Sequence, residues 1–562
     1  MGTRDWFPTP EALLPAWLGL VPATFNLADL WELVVDDRPD SEAFVSATCR
    51  LTYRRLDERA NRLAHHLEAA GVEPGDFVGL HMVNGSEYLE GMLAAFKIRA
   101  VPVNVNYRYV ESELEYLYRD AGLVALVHHR QFSPRVRAVA PRIETLRHLV
   151  VVDDGDPAER APGAVDYEEA LAAADAGRGF PDRSPDDLYI AYTGGTTGMP
   201  KGVLWRHEDI FFGAMGGGDL YQAGDPIGTP DELVERLPEN GAVSLTTPPF
   251  MHVSAHWTAF MNFFGGGTVV IPPPAAFDAH AVWRLVTDEN VNVLTIVGDA
   301  MARPLIEAWP EVADQCDTSS LIVVGSGGAI LSPSLKAQLT ELLPGVMLVD
   351  GYGASETGPL GNHVSGGGEA GSAKATFAVN DQAAVLGEGG RPVAPGSGDV
   401  GRLARRGHIP LGYHNDPEKT ASTFTEVDGV RWVLPGDMAT VEPDGTVVLL
   451  GRGSGCINTG GEKVFPEEVE GVVKSHPAVY DAVVVGVPDE RWGSRVVAVA
   501  QARDEAPGLD DLQEFCRSRL AGYKLPRDAV WVDEVVRSPS GKADYPWARE
   551  TALSALGLAE RV

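Results

Sequence analysis

The sequence predicts an α/β protein followed by a smaller α+β unit at the C-terminal end, and three observations carry that prediction. Helical and extended patterns alternate from Leu51 to His129, the rhythm of a sheet with helices on its faces. Two later strands, Leu188–Tyr192 and Leu321–Val324, run directly into glycine-rich turns. A second alternation starts near Gly451 and has the size of a small independent domain, about 110 residues.

The elements follow in order. Leu56, Ala60, Leu63, Ala64 and Leu67 fall at helical spacing between Tyr53 and Gly71, and Gly71 suits a helix stop. Phe77–Met82 reads as a strand, Glu87–Lys97 as a helix, Val101–Val105 as a strand, Glu111–Ala121 as a helix and Leu123–His128 as extended. Gly216–Gly241 and Ser365–Pro395 read as long irregular loops. In the second unit Phe465–Ser475 and Leu512–Leu520 are expected helices, and Ala482–Val487, Val496–Gln501 and Val530–Val532 strands.

Composition narrows the function. Of the 562 residues, 44% are hydrophobic and 22% charged, ordinary for a globular chain with several packed units. No apolar stretch reaches the roughly 20 residues of a membrane span, and Met1–Leu20 lacks the layout of a signal peptide. Cys49, Cys316, Cys456 and Cys516 are scattered without CxxC pairing, which argues against a disulfide framework or zinc site and fits a reducing cytoplasm. The net charge of −33 repels nucleic acid and anionic lipid at long range. It does not exclude an anionic substrate, because a local nest of backbone N–H groups and one lysine outweighs a distant field. The oligomeric state is not fixed by these observations, and a homodimer is left open.

The strongest chemical signal is Tyr192-Thr-Gly-Gly-Thr-Thr-Gly-Met-Pro-Lys201-Gly202. Gly194 and Gly195 let backbone N–H groups converge on one anion. Thr193, Thr196 and Thr197 add hydroxyls, and Lys201 adds a point charge. It is not a Walker loop, since Lys201 precedes Gly202 and not Ser or Thr. A plain polar linker is the competing reading, and the apolar strand before it speaks against that.

This segment resembles the phosphate loop of the adenylate-forming superfamily, which comprises acyl-CoA synthetases, firefly luciferases and peptide-synthetase adenylation domains. The family's other motifs follow in order over nearly the whole chain. Asp350-Gly-Tyr352-Gly353-Ala-Ser355-Glu356-Thr-Gly resembles the aromatic-Gly-x-Thr-Glu motif. By that likeness Tyr352 stacks on adenine, Ser355 contacts the α-phosphate, and Glu356, with Thr197, holds Mg²⁺. An aromatic face suits a purine and a carboxylate suits a hard cation. Gly325-Ser-Gly327-Gly-Ala329 resembles the segment along adenine and the acyl pocket, although alone it reads equally as a turn. Asp437 in Pro435-Gly-Asp resembles the ribose-binding aspartate, and Arg452 in Gly451-Arg resembles the nucleotide-reaching arginine before the hinge. His252 in Pro249-Phe-Met-His resembles a histidine lining the acyl site. Lys542 in Ser538-Pro-Ser-Gly-Lys resembles the adenylation lysine, and Gly460-Gly461-Glu462 resembles the loop lining the pantetheine tunnel. Ser454 departs from the usual Asp or Lys hinge, which leaves the pivot undefined.

The resemblance implies a large N-terminal domain (1–453) of two α/β sheets plus a barrel-like subdomain, and a small mobile α+β domain (454–562). It implies an ATP-dependent acid–thiol ligase in which Lys542, Glu356, His252 and Thr197 are the catalytic candidates. Its substrates are a carboxylic acid, Mg·ATP and coenzyme A. The phrases Tyr192–Trp205, Val297-Gly-Asp-Ala300 and Asn458–Val464 resemble actinobacterial acyl-CoA synthetases for steroid side chains and similar polycyclic acids. Trp205, His256, Trp257 and Phe260 join His252 and Gly325 as candidate acyl-pocket walls, with core packing the alternative for the aromatics. Loading of a carrier protein, a medium- or long-chain fatty acid substrate, luciferase chemistry and a catalytically inactive paralogue are the competing functions.

Overall fold

The computed structural model describes residues 23–193, 199–219, 225–273, 276–329, 331–365, 376–459, 462–489, 491–537 and 542–558, leaving aside the side chains of Arg452 and Ser454. The chain divides into two compact units, one of residues 1–242 with 256–269 and one of 243–255 with 270–562.

The first unit contains a five-stranded all-parallel sheet. Its order is Val101–Asn104, Phe77–His81, Ala125–His129, His148–Val152, Val165–Asp166. Both faces are covered, as parallel sheets require, so the strands Val101–Asn104 and Ala125–His129 are buried at every position. The helix Tyr53–Ala69 starts on Thr52, whose hydroxyl accepts from the Arg55 amide. It buries Leu56, Ala60, Leu63, Ala64 and Leu67, the residues whose spacing predicts it.

A buried ionic network ties this unit together. The Lys97 ammonium is fully enclosed and pairs with Glu32 and, at 2.8 Å, with Asp57. Arg178 reaches Asp57 at 3.0 Å, and Arg183 reaches Glu32 at 2.5 Å and Asp29 at 2.6 Å. Enclosed charges are tolerable only when every partner is in place.

The second unit is built on a parallel run of strands, Val243–Thr246, Val293–Ile296, Val323–Ser326 and Met347–Ala354. Met347–Ala354 turns back antiparallel into Gly358–Ser365, which pairs with Thr376–Val379 and so joins Val447–Arg452 and Asp437–Val441. These antiparallel strands are the region expected to be barrel-like, and among the described residues their order is that of a continuous sheet branching at Gly401–Arg405.

Ser365–Pro395 is therefore less irregular than its composition predicts. Thr376–Val379 and Ala383–Leu386 are strands there. Gly216–Gly241 likewise contains a turn of 3₁₀-helix at Gly216–Gly218 and a short helix at Glu232–Glu235, anchored by buried Leu233.

Past Gly455 the chain forms the hairpin Ile457–Thr459/Glu462–Val464 and the helix Pro466–Lys474. The long pair Val479–Asp489/Gly493–Ala502 follows, with Asp528–Val532 added in parallel. Valines on one face of that sheet pack with Val469, Val473, Leu512 and Cys516. Those on the other pack with Ala548, Ala552 and Leu553.

Candidate active site

The segments 194–198 and 460–461 lie outside the described residues, and with them Gly194, Gly195, Thr196, Thr197, Gly460 and Gly461. Leu188–Thr193 and Lys201–Arg206 form an antiparallel hairpin in which Thr193 is opposite Lys201. The element that follows the phosphate-loop candidate is therefore a strand and not the helix that follows a Walker loop. Asn104, at the end of its parallel strand, clamps the approach: its amide donates to the Tyr192 carbonyl and accepts from the Tyr192 N–H, both at 2.8 Å. The Tyr192 hydroxyl donates to Asp120 at 2.6 Å.

Among the acyl-wall candidates of this first unit, Trp205 and Phe260 are fully enclosed. His256 lies with Nδ1 3.0 Å from the Tyr189 hydroxyl, and Trp257 is also buried. All four side chains are buried in the interior of the unit, Phe260 against Phe96 and Phe263 and His256 beside Tyr88.

In the second unit, four adjacent parallel strands deliver candidates at their carboxyl ends, where open α/β sheets bind ligands. Val243–Thr246 leads to His252, Val293–Ile296 to Asp299, Val323–Ser326 to Gly327 and Ala329, and Met347–Ala354 carries Tyr352. A side chain at Gly325 would meet open space within 4 Å, whereas one at Gly353 would collide with the Gly358 carbonyl across the turn. Gly353 is thus required by the hairpin itself.

Tyr352 packs its ring 5.4 Å from Phe377 and lies beside the cluster of Leu360, Val385, Leu403, Ala439 and Val447. Ser355 and Glu356 sit in the turn beyond it, partly exposed. Asp350 is not an open ligand-facing carboxylate. It is buried and accepts from Lys336 at 2.6 Å. Burial pushes its carboxyl above the usual range, against the opposing pull of Lys336.

Asp437 starts its strand opposite Arg452 and is reached through Gly436, whose φ of +105° favours glycine. At Gly451 a side chain would strike the Glu467 carboxylate. Lys542 is exposed and directly precedes Ala543, which bridges to Arg537. Arg537 forks onto Asp481, with both bonds 2.6 Å, so the segment carrying Lys542 is tied to the strand Val479–Asp489. Glu462 stands exposed, paired across the strands with Thr459.

Several contributing residues carry no motif. The Tyr413 hydroxyl donates to Glu356 at 2.8 Å. Buried Arg405 donates to the carbonyl oxygens of Thr357 and Pro359. Asp299, in the first turn of the helix Gly298–Val312, accepts from Lys474 at 2.9 Å and from the Ser332 amide at 2.6 Å. Tyr413 and Arg405 have no sequence signal beyond their type, because each depends on a partner at least 46 residues away, and the phrase Val297-Gly-Asp-Ala300 does not foretell the partners of Asp299.

The ordered motifs thus have places in the fold: Thr193 and Lys201 on paired strands of the first unit, and Tyr352, Ser355, Glu356 and Asp437 on strands and a turn of the second. Residues 31–414 match the AMP-binding enzyme family and residues 468–542 match the AMP-binding enzyme C-terminal domain. The chain belongs to this adenylate-forming family and to its AMP-forming acyl-CoA synthetase branch. It is 48% identical to a 3-oxocholest-4-en-26-oate–CoA ligase of Rhodococcus rhodochrous, over 93% of this chain and 95% of that one. It is 47% identical to a medium/long-chain-fatty-acid–CoA/3-oxocholest-4-en-26-oate–CoA ligase of Mycobacterium marinum, over 93% and 96%. The solved structure of ATP-bound MatB from Rhodopseudomonas palustris superposes with a TM-score of 0.79 at 25% identity, over 93% of this chain and 98% of that one. Among the described residues, no helix is long and apolar enough to cross a membrane.

Proposed function

We propose that this protein is an ATP-dependent CoA ligase for a bulky hydrophobic carboxylic acid of the steroid-side-chain type. The observation that carries the choice of acid is the 48% identity, across nearly the full chain, to a relative named for a cholestenoate. In the first half-reaction the carboxylate attacks the α-phosphate of ATP, forming acyl-AMP and releasing pyrophosphate. In the second the CoA thiol attacks the acyl carbon and AMP leaves.

Negative charges crowd the first step, so catalysis there is positioning and neutralisation. Lys201 and the loop 193–197 hold phosphate oxygens, Tyr352 offers its ring to adenine, and Ser355 donates to the α-phosphate. Asp437 accepts from the ribose hydroxyls and Arg452 adds a charge to the nucleotide. Lys542 neutralises the carboxylate–phosphate encounter. His252 stands at the acyl end of the site, and Gly460–Glu462 form the passage for the thiol once the C-terminal domain, about 454–562, has turned. The location in this reading is the cytoplasm.

The residues present fit a Mg²⁺ ion. Among the described residues no group of three His, Cys, Asp or Glu side chains could hold a metal alone, and Mg²⁺ in nucleotide sites takes one or two carboxylates plus phosphate oxygens. Glu356 supplies such a carboxylate, partly exposed, with one oxygen already bonded to Tyr413. When bound, the cation offsets charge on the phosphates.

The test is pyrophosphate release from ATP across a panel of acids, followed by thioester formation on adding CoA. A cholestenoate-type acid should exceed palmitate and acetate in kcat/KM. Preference for unbranched chains overturns the choice of acid. Acyl transfer to a carrier protein but not to CoA overturns the choice of acceptor.

A further inference from the structure

Glu356 sits in the turn between Met347–Ala354 and Gly358–Ser365, partly exposed, on a side chain with three rotatable bonds. A carboxylate so placed samples many directions unless something fixes it. Two residues from a later part of the sheet do so. Arg405, at the end of the strand Gly401–Arg405, is 4% exposed and donates to the carbonyls of Thr357 and Pro359, immediately past Glu356. The backbone that carries Glu356 is thereby anchored. Tyr413 then fixes the side chain. The residue is 8% exposed, its ring is edge-on to Phe424, its backbone N–H donates to Thr420 Oγ1 at 2.9 Å, and its hydroxyl donates to Glu356 Oε1 at 2.8 Å.

We propose that Tyr413 is a positioning residue for adenylation: its hydroxyl engages Oε1 of Glu356 and leaves Oε2 presented to the cation on ATP. The proposal rests on the reading of Glu356 as the cation-facing carboxylate. A neutral phenol suits this task. It donates one hydrogen bond and adds no charge, so the carboxylate keeps its full attraction for the cation while losing its freedom to turn away. Partners behind a metal ligand commonly set affinity in this manner, by about 10–100-fold.

The test uses Y413F, E356Q and the double variant in the full chain, with Mn²⁺ as the probe cation and α,β-methylene-ATP as the uncleavable nucleotide. Binding is followed by the loss of the free Mn²⁺ paramagnetic resonance signal. Y413F should weaken Mn²⁺ binding about 10–100-fold, E356Q at least as much, and the double variant no more than about twofold beyond E356Q, because the hydroxyl acts only through that carboxylate. Thioester formation from supplied acyl-AMP should be unchanged in Y413F. If E356Q weakens Mn²⁺ binding and Y413F does not, or if the two losses multiply, the role of Tyr413 is overturned while that of Glu356 stands. If E356Q leaves Mn²⁺ binding intact, the reading of Glu356 falls and the Tyr413 proposal with it. If Y413F also abolishes transfer from acyl-AMP, Tyr413 serves the fold and not the carboxylate.

Discussion

Replacing Lys474 by methionine should loosen two segments that lie 175 positions apart in sequence. Lys474 ends the helix Pro466–Lys474, and Asp299 lies in the first turn of Gly298–Val312. Their side chains are only 3% and 10% exposed. Burial pushes the Asp299 carboxyl up, but the Lys474 charge and the Ser332 amide outweigh it and hold the group below the usual carboxylate range. Methionine keeps the length and apolar stem of lysine but removes the charge, leaving a buried carboxylate with one amide donor. Breaking a buried pair from one side costs about 3–5 kcal/mol. If that loss falls on local opening, amide exchange in the two segments should quicken by roughly 10²- to several 10³-fold. Hydrogen-exchange mass spectrometry resolves the two peptides from the rest of the chain. In wild type, the depressed Asp299 pKa stabilises above the unfolded value, and this contribution fades as pH falls through the folded one. In Lys474→Met burial is opposed by the Ser332 amide without the lysine charge and should raise that pKa, so acidification from pH 8 to 5 should shrink the defect. Adding Asp299→Asn should restore most of the protection. Unchanged exchange in Lys474→Met, or a double variant as loose as the single, refutes the argument.

Two further outcomes are expected. Lys542→Ala should slow acyl-AMP formation by roughly 10²–10³-fold, about 3–4 kcal/mol, and spare thioester formation from supplied acyl-AMP, while Gly460→Leu should do the reverse; pyrophosphate release and thioester assays separate the steps, and equal loss in both rules out alternation. Glu470 is fully enclosed, and burial, then the nearby Glu467, raise its pKa to about 7, despite the Val484 amide, Lys474 and Arg537. Because the folded protein holds that proton after the unfolded chain has released it, stability should fall between about pH 4.5 and 7 by about 3 kcal/mol. Glu470→Gln should flatten that decline in denaturation midpoints measured across the range, and an unaltered slope would assign it to other groups.

The parallel sheets were legible in the sequence because buried strands such as Ala125–His129 and the amphipathic helix Tyr53–Ala69 show their periods locally. Thr376–Val379 and Ala383–Leu386 were not, because four-residue strands among Gly and Ala carry too little pattern and take their structure from partners such as Val447 and Leu403. In the site, Gly353, Glu356 and Asp437 could be named from local motifs. Asp350 could be named but not its engagement by Lys336, and Trp205 and Phe260 looked like pocket walls because aromatic residues serve cores and pockets alike. Asn104, Arg405 and Tyr413 act through partners between 46 and 88 residues away, a separation to which no single-chain pattern is sensitive.

The ionic network around Lys97 bears on the order in which the first unit is made. Glu32, Asp57 and Lys97 belong to the helices that form its early core, but Arg178 and Arg183 enter far later in the chain. Synthesis at roughly 5–20 residues per second separates Lys97 from Arg183 by several seconds or more. Until then, packing the early helices would enclose two carboxylates against a single ammonium. The charge balance of the early helices is thus completed only by a stretch that ends a few residues before the strand Leu188–Thr193 begins.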